Sequence, residues 1–163
     1  MNNYHVSVLL QPTIELLNVQ EGRKYIDGTL GGAGHTAFIL EAGGKVLGID
    51  HDQEALDFVE KDLGFRIKDL RFGEDIILVK GNFREIDTIA KANDFENVAG
   101  ILLDLGISSH HVDSAERGFS FQKEGPLDMR MDQDLSVSAT DLVNALNKNE
   151  LYELFTKLGE EWS

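Results

Sequence analysis

The sequence predicts an α/β protein built on a parallel sheet, and three observations support this fold class. Four short runs rich in β-forming residues alternate with segments whose apolar residues recur at helical spacing, which is typical of right-handed βαβ units. The segment YIDGTLGGAGHT at residues 25–36 contains the end of the first run and the glycine-rich turn that follows it. Three of the four runs end in or beside an aspartate. Ligands of open α/β sheets bind at the carboxyl ends of the strands, so these ends form the candidate site.

The first half of the chain is predicted to hold three strands and three helices. Pro12 stands near the start of the first helical pattern, where its fixed φ is tolerated. Gly43 and Gly44 end the helix that follows the glycine loop. The predicted helices cover 12–17, 35–42 and 53–63, and the predicted strands cover 24–27, 45–50 and 75–83.

The second half begins with a helix and a fourth strand and then changes character. The fourth strand, VAGILLDLG, is apolar enough to be predicted as buried on both faces. Residues 107–134 show no regular period, and their aromatic and methionine residues favour an ordered loop. Ser138, with Asp141 three residues on, predicts a capping box at the start of a helix. The other elements predicted here are a helix over 84–93, the strand at 98–106 and a last helix over 149–158.

Composition sets limits on the classes of function. With 163 residues, 42% hydrophobic and 27% charged, the chain is sized for about one globular domain. It has no apolar run long enough to span a bilayer and no signal-peptide pattern at the amino terminus, so we expect a cytoplasmic protein. The absence of cysteine excludes thiol nucleophiles and zinc–thiolate sites. A net charge of -14 argues against a nucleic-acid partner when taken alone.

The glycine loop leaves three ligand classes to compare. GAGHTA at 32–37 fits the Gly-x-Gly-x-x-Ala pattern, and Asp50 follows at the distance typical of an acid on a ribose hydroxyl. An NAD-dependent or FAD-dependent oxidoreductase is therefore one hypothesis, although the chain after the fourth strand shows no second nucleotide-binding half. No Lys-Ser or Lys-Thr pair follows the glycines, which excludes a Walker loop. The remaining ligand is S-adenosylmethionine.

The residues at the strand ends suit that sulfonium cofactor. Glycines allow close approach of the backbone, Gly34 among them, and carboxylates tolerate the positive charge. Asp50 can accept hydrogen bonds from both ribose hydroxyls, and Phe83 can lie against the adenine. Asp104, at the end of the fourth strand, can meet either the methionine moiety or the incoming substrate.

The sequence resembles the bacterial RsmH (MraW) methyltransferases over nearly its whole length. The resemblance rests on HVSVLLQ, YIDGTLGGAGHT, GIDHD, ILLDLGISS and above all the long stretch DSAERGFSFQKEGPLDMRMD. It implies a class I methyltransferase fold, of which this chain would hold the first four strands, with the start of an inserted helical substrate domain. It also implies methyl transfer from S-adenosylmethionine to the exocyclic N4 of a cytidine in the decoding region of 16S rRNA in the small ribosomal subunit. The corresponding domains are predicted at 1–107 and 108–163.

The family's cofactor contacts carry over to seven positions of this sequence. His111 stands where the family has a glutamine, in SSHH instead of Ser-Ser-Pro-Gln. Ser7 replaces a usual proline and Gln11 a usual glutamate, and neither belongs to the inferred cofactor site. The contacts implied by the resemblance are Ala33, Gly34, His35, Asp50, Phe83, Asp104 and His111.

The lack of cysteine also bears on the reaction. Methylation at cytosine C5 commonly needs a cysteine adduct at C6, whereas transfer to N4 is a direct displacement that needs alignment and hydrogen-bond acceptors. Only the second route is open to this chain. The Asp-Pro-Pro-Tyr signature of many amino-methyltransferases is replaced by DLGISS after the fourth strand.

Several polar and aromatic residues have both a functional and a structural interpretation. His110, His111 and Asp113 have metal-ligand character, but closely spaced polar residues in loops are usually solvated, and we predict no metal. Helices within 138–158 are expected to direct their apolar positions into a core. Mixed roles, in stacking or clamping an RNA base and in packing the loop, are predicted for Arg117, Phe119, Phe121 and Arg130.

The resemblance implies that the chain is an amino-terminal fragment, because relatives continue past LGEEWS into a basic helix and further strands. The order 3-2-1-4-5 would leave ILLDLG as an unpaired apolar edge, which is a template for association. We therefore expect the chain by itself to be a poor RNA methyltransferase, with weak cofactor binding, self-association and little salt-dependent RNA affinity. A non-catalytic module that keeps only the cofactor fold remains the third hypothesis.

Overall fold

The computed structural model describes residues 9–162, without the side chains of Ser109 and His110. The predicted departure at Ser7 therefore lies outside the described residues. The described chain divides into two compact units between His110 and His111. The first unit holds a four-stranded parallel sheet in the order β3-β2-β1-β4, which confirms the predicted α/β class and strand order. The strands are β1 (Lys24–Asp27), β2 (Lys45–Asp50), β3 (Ile76–Lys80) and β4 (Gly100–Leu102).

Four α-helices belong to the first unit, and each overlaps a predicted helix. Asp52 caps the third, because its side chain accepts a hydrogen bond from the Glu54 N–H. That helix continues three residues beyond its predicted end to Arg66. The helices are α1 (Leu10–Leu17), α2 (Gly34–Glu41), α3 (Gln53–Arg66) and α4 (Ile86–Ala92), with a 3-10 turn at Phe83–Glu85 before α4.

The sheet separates two apolar clusters. Side chains alternate between the faces of a strand, so Tyr25 and Val46 enter one cluster with residues of α2 and α3. Ile26 and Leu47 enter the other cluster, with Ala90 of α4. This burial on both faces explains the continuous apolar runs of the two central strands.

The last two strands are shorter than predicted, and β4 is not buried on both faces. β3 ends at Lys80 because the chain then turns at Gly81 and Asn82 into the 3-10 helix, which Asn82 caps. β4 covers only three residues at the edge of the sheet, and Ile101 is 50% exposed. The prediction of a doubly buried fourth strand is wrong, since among the described strands only β1 pairs with β4.

The second unit holds short helices joined by loops. Ser138 and Asp141 form the predicted capping box at the start of α6, and Asn147 forms another with Glu150 at the start of α7. The stretch expected to be irregular contains α5 and a 3-10 turn at Ala115–Arg117. The predicted boundary at 107/108 stays a prediction. The helices are α5 (Ser109–Asp113), whose first two residues precede the boundary between the two units, α6 (Ala139–Ala145) and α7 (Lys148–Leu158).

The apolar positions of α6 and α7 do not enter a core within the described residues. Neither helix contains a buried residue. The expectation that they would face a core is therefore wrong, because the helices are short and lie in a unit where few side chains are buried. The large apolar side chains that stay exposed on them are Leu142, Val143, Tyr152, Leu154, Phe155 and Leu158.

Candidate cofactor site at the carboxyl ends of the strands

The parallel register brings the carboxyl ends of β1, β2 and β4 to one edge of the sheet. Asp27 pairs with Gly48 on one side and with Leu102 on the other. Asp50 ends β2 two residues beyond Gly48, and Asp104 follows β4 by two residues. Three carboxylates that are far apart in sequence therefore approach the same edge, as the strand-end argument predicts.

The glycine loop turns between β1 and α2 through two residues with positive φ. Gly31 has φ +50° and Ala33 has φ +55°, both in the left-handed region. Ala33 is buried and is the N-cap of α2, while Gly34 is the first helical residue. The loop therefore needs a positive φ at Gly31 and Ala33. It needs none at Gly34, whose backbone is helical. Ala33 is a residue that rarely adopts this conformation, which marks the loop as strained.

Asp50 anchors this loop. Its Oδ2 accepts a hydrogen bond of 2.8 Å from the Gly31 N–H, and its Oδ1 accepts one of 3.0 Å from the Asp52 N–H. An ionised carboxylate has about four lone-pair sites, so each oxygen keeps capacity for a further donor. The side chain holds the loop and still has acceptors for two hydroxyls.

His35 and Asp104 face each other beside the first turn of α2. The imidazole is 5% exposed, and its Nδ1 lies 4.0 Å from the Asp104 Oδ2. The Asp104 side chain is 35% exposed and so reaches solvent. The buried His35 Nε2 has no hydrogen-bond partner among residues 9–162. A buried polar atom of this kind calls for a partner, which a bound molecule can supply.

Asp27 is a buried carboxyl group that the predicted set of site residues did not include. Its Oδ2 accepts a hydrogen bond of 2.7 Å from the Thr36 hydroxyl, and its Oδ1 accepts one of 3.2 Å from the Thr29 N–H. Burial raises its pKa to about 6, although both hydrogen bonds and the nearby His35 act in the opposite direction. The only signal of this residue in the sequence was its position at the end of a strand.

Thr29 was also missed, and it joins the ends of β1 and β4. The Asp104 backbone N–H donates a 2.7 Å hydrogen bond to the Thr29 Oγ1. One residue earlier, the Gly28 N–H donates to the Leu102 carbonyl at 2.9 Å. Only the chain's topology puts residues 75 positions apart in contact here, so the sequence pattern gave no sign of this bond.

The sequence predicts Phe83 as the last residue of the third strand, but β3 ends at Lys80 and Phe83 begins the 3-10 turn, where it is half-buried. Its ring centroid lies 6.2 Å from that of His51, with the planes tilted by 53°. A Cβ atom built on Gly28 would lie 3.2 Å from the Phe83 Cβ and 2.7 Å from the Leu103 Cδ2. A side chain at position 28 would therefore press on Phe83 and would displace the exposed Leu103 side chain.

The remaining predicted contact, His111, belongs to the second unit. It is buried there, and its ring centroid lies 5.3 Å from that of Phe119. In the same unit the Arg117 guanidinium is buried and donates to the Met131 carbonyl at 2.9 Å. The structure gives His111 a packing role within its own unit, and its assignment as a cofactor contact stays a prediction.

Arg130 and Phe121 have contrasting surroundings in this unit. Arg130 forms a bidentate ion pair with Asp128, with bonds of 2.8 and 2.6 Å, and also donates to the Leu135 carbonyl at 2.6 Å. Hydrogen bonds from Arg130 lower the pKa of Asp128 to about 2. Phe121 is fully exposed. Arg130 thus holds the loop together, whereas the Phe121 ring is available for stacking.

Two further observations concern possible metal ligands and membrane-spanning helices. Among the described residues no three His, Asp or Glu side chains cluster as metal ligands would, and the absence of a metal stays a prediction. No helix between residues 9 and 162 combines the length and apolar character needed to cross a bilayer.

Comparison with known proteins places these features in a family. The model of the MraW methylase family matches residues 2–163. A ribosomal RNA small subunit methyltransferase H from Syntrophotalea carbinolica is 45% identical over 160 residues, which cover 96% of this chain and 49% of the relative. The protein of the same name from Syntrophus aciditrophicus is 46% identical over 162 residues, covering 98% and 50%. The chain thus spans about half the length of the curated relatives it matches.

The solved structures are more distant. The C-terminal domain of precorrin-6Y C5,15-methyltransferase from Rhodobacter capsulatus is 15% identical, with a TM-score of 0.49. The alignment covers 64% of this chain and 55% of that domain. At this distance the likeness does not bear on function.

Proposed function

Because the chain belongs to the MraW methylase family, we propose that it transfers a methyl group from S-adenosylmethionine to an RNA base. The substrate is the N4 exocyclic amine of a cytidine in the decoding region of 16S rRNA, in the small ribosomal subunit. The protein acts in the cytoplasm, where that RNA is found. Family membership supports the class of reaction, and the base and atom come from the resemblance described above.

The observation that carries the choice of cofactor is the charge beside the N-terminus of α2. Asp104 lies 4.0 Å from His35 in the first turn of that helix, and the buried Asp27 accepts a hydrogen bond from Thr36 in the same turn. A dinucleotide would place its anionic pyrophosphate at such a helix N-terminus. Carboxylates at this position repel a pyrophosphate and attract a sulfonium or an ammonium group. This arrangement favours S-adenosylmethionine over NAD or FAD.

The residues present fit that cofactor. Asp50 keeps free acceptor capacity while it anchors the loop, so it is the candidate for the ribose hydroxyls. Phe83 offers a half-buried ring for the adenine. The start of α2 presents the backbone of Ala33 and Gly34 and the His35 Nε2, which has no partner among residues 9–162. With Asp104 these six residues belong to one unit, and His111 completes the proposed set.

S-adenosylmethionine supplies a methyl group that its sulfonium already activates. The residues of this chain then have to bind and orient, since no cysteine is available to form an adduct with the base. Asp104 contributes negative charge near the cationic end of the cofactor, and Asp50 fixes the ribose end. Phe121 in the second unit is the candidate for stacking on an RNA base.

Calorimetric titration with S-adenosylhomocysteine and, separately, with NAD⁺ tests the cofactor assignment. We expect measurable binding of S-adenosylhomocysteine and at least about 100-fold weaker binding of NAD⁺, as the charge argument requires. Tighter binding of NAD⁺ would support the oxidoreductase hypothesis instead. Binding of S-adenosylhomocysteine without methyl transfer to rRNA would support the non-catalytic module.

A further inference from the structure

Thr29 extends the pairing of β1 and β4 beyond the last strand residue. The Gly28 N–H bonds to the Leu102 carbonyl at 2.9 Å, and the next bond along the two chains runs from the Asp104 N–H to the Thr29 Oγ1 at 2.7 Å. In a regular parallel pair the acceptor of this next bond would be a backbone carbonyl. The Thr29 hydroxyl takes the place of that carbonyl, so the backbone after β1 can leave the sheet and turn into the glycine loop.

The same residue is fixed from its other side. The Thr29 N–H donates to the Asp27 Oδ1 at 3.2 Å, and the Asp27 Oδ2 accepts from the Thr36 hydroxyl at 2.7 Å. Thr36 follows His35, whose Nδ1 lies 4.0 Å from the Asp104 Oδ2. With the peptide bond between His35 and Thr36, these contacts join five residues in a ring, namely Asp104, Thr29, Asp27, Thr36 and His35. Asp27, His35 and Thr36 are buried, whereas Thr29 and Asp104 are partly exposed.

The segments that follow β1 and β4 lie close together at Gly28. A Cβ at Gly28 would stand 3.7 Å from the Leu102 carbonyl oxygen, which is ordinary van der Waals contact, and 2.7 Å from the Leu103 Cδ2, the end of an exposed side chain. Without the Thr29 acceptor the Asp104 N–H would lose its partner in a partly buried position. The residue would then have to move to find water, and its carboxylate would move with it.

We propose that Thr29 is a positioning residue that sets where the Asp104 carboxylate meets the cofactor. The inference rests on the proposed function, because it takes Asp104 to be a contact of S-adenosylmethionine. Thr29 itself need not touch the cofactor. Its hydroxyl acts by holding the backbone of Asp104, and the Asp27 carboxyl holds Thr29 in turn.

A double-mutant cycle on S-adenosylhomocysteine affinity, measured by calorimetry on the intact protein, tests this role. We expect Thr29→Val to weaken binding about ten-fold, the effect of losing one hydrogen bond that orients a charged contact. Thr29→Ser keeps the hydroxyl and should bind within about two-fold of the wild type. In an Asp104→Asn background, Thr29→Val should change the affinity by less than about two-fold, because the two residues act through one contact.

Controls separate positioning from general damage. Thr88→Val removes an exposed hydroxyl from α4 and should leave the affinity unchanged. Thermal unfolding checks that each variant folds, and Thr29→Ala is the second variant if Thr29→Val does not. Three results would each overturn this inference and leave the proposed function standing. They are an equal loss of affinity in both backgrounds, no loss of affinity when the hydroxyl is removed, and a loss of affinity in Thr29→Ser. Wild-type protein that binds no S-adenosylhomocysteine would overturn the proposed function, and this inference with it.

Discussion

At the scale of single residues, the carboxylates of the site have different duties. Asp50 already holds the glycine loop through the Gly31 N–H, so it organises the site before a ligand arrives. Its place at the end of β2 could be predicted because the strand pattern and the following helix were both clear. Asp27 and Thr29 could not be assigned roles, since their partners Thr36 and Asp104 depend on how β1, β4 and α2 meet.

Replacing Asp50 tests the ribose contact. Asp50→Ala should weaken the binding of S-adenosylmethionine by roughly 1.5–3 kcal/mol, because it removes a charged acceptor and releases Gly31. Calorimetry measures the affinity, and circular dichroism checks that the fold is kept. Asp87→Ala, which removes an exposed carboxylate from α4, is the control and should have no effect. Unchanged affinity in Asp50→Ala would contradict the assignment.

The buried Asp27 predicts a pH dependence of stability with a definite sign. Its pKa is raised from 3.8 in the unfolded chain to about 6 in the fold, so the native state holds the proton more tightly. This contribution is fully present below pH 3.8 and is lost as the pH rises through about 6. The shift corresponds to roughly 3 kcal/mol.

Urea unfolding between pH 4 and 8 measures this effect as a difference between wild type and Asp27→Asn. The free energy of unfolding of the wild type should fall relative to that of the variant as the pH rises across this interval. The difference removes the contributions of all other titrating groups. Parallel pH profiles for the two proteins would show that Asp27 is ionised in the fold throughout.

At the scale of elements, the strands show which boundaries sequence can predict. β1 and β2 begin and end where expected, because their apolar runs are flanked by polar or glycine residues and are buried on both faces. β3 and β4 end earlier than expected. Gly81 and Asn82 start a turn, and the edge position of β4 leaves Ile101 exposed despite its apolar neighbours. Apolar character alone does not distinguish a central strand from an edge strand.

The loop before α6 depends on a glycine that no other residue replaces. Gly118 has φ +74°, and a Cβ there would lie 2.3 Å from the Pro126 carbonyl oxygen and 2.8 Å from the Asp128 nitrogen. Gly73 has a similar φ of +85° but nothing within 4 Å of the added atom. Alanine substitutions at the two positions therefore distinguish the cost of a positive φ from the cost of a steric clash.

We expect Gly73→Ala to cost about 1 kcal/mol, the usual cost of a left-handed alanine. Gly118→Ala should cost at least about 2 kcal/mol more, because the backbone of Pro126 and Asp128 must move. Denaturant unfolding measures both variants, and limited proteolysis reports whether the second unit opens. Equal costs for the two variants would show that the loop relaxes freely around position 118.

At the scale of the whole molecule, the net charge and the exposed apolar surface predict different interactions. The net charge of -14 disfavours RNA binding by this chain alone, and we expect little salt-dependent affinity in an RNA titration at two salt concentrations. Exposed apolar side chains on β4 and on α7 favour association instead. The net charge can be read from the sequence, whereas the exposure of the apolar side chains on α7 depends on which surfaces the described residues leave uncovered.

Sedimentation tests the predicted self-association of the 163-residue chain. The apparent mass should rise with concentration, and Leu158→Glu should reduce the rise because it places a charge on an exposed apolar side chain of α7. Asn149→Glu adds the same charge at an exposed polar position and should act less strongly. A concentration-independent monomer would show that these apolar surfaces do not drive association.

The most direct test of the central claim is mass spectrometry of nucleosides from 16S rRNA. Small ribosomal subunits or their RNA, lacking the modification, are incubated with the intact protein and S-adenosylmethionine and then digested to nucleosides. We predict N4-methylcytidine in the digest at a decoding-region position, at low yield because the net charge of -14 weakens RNA binding, and its disappearance when the cofactor is omitted. Methylation at C5, or an unmodified digest from protein that binds the cofactor, would contradict it.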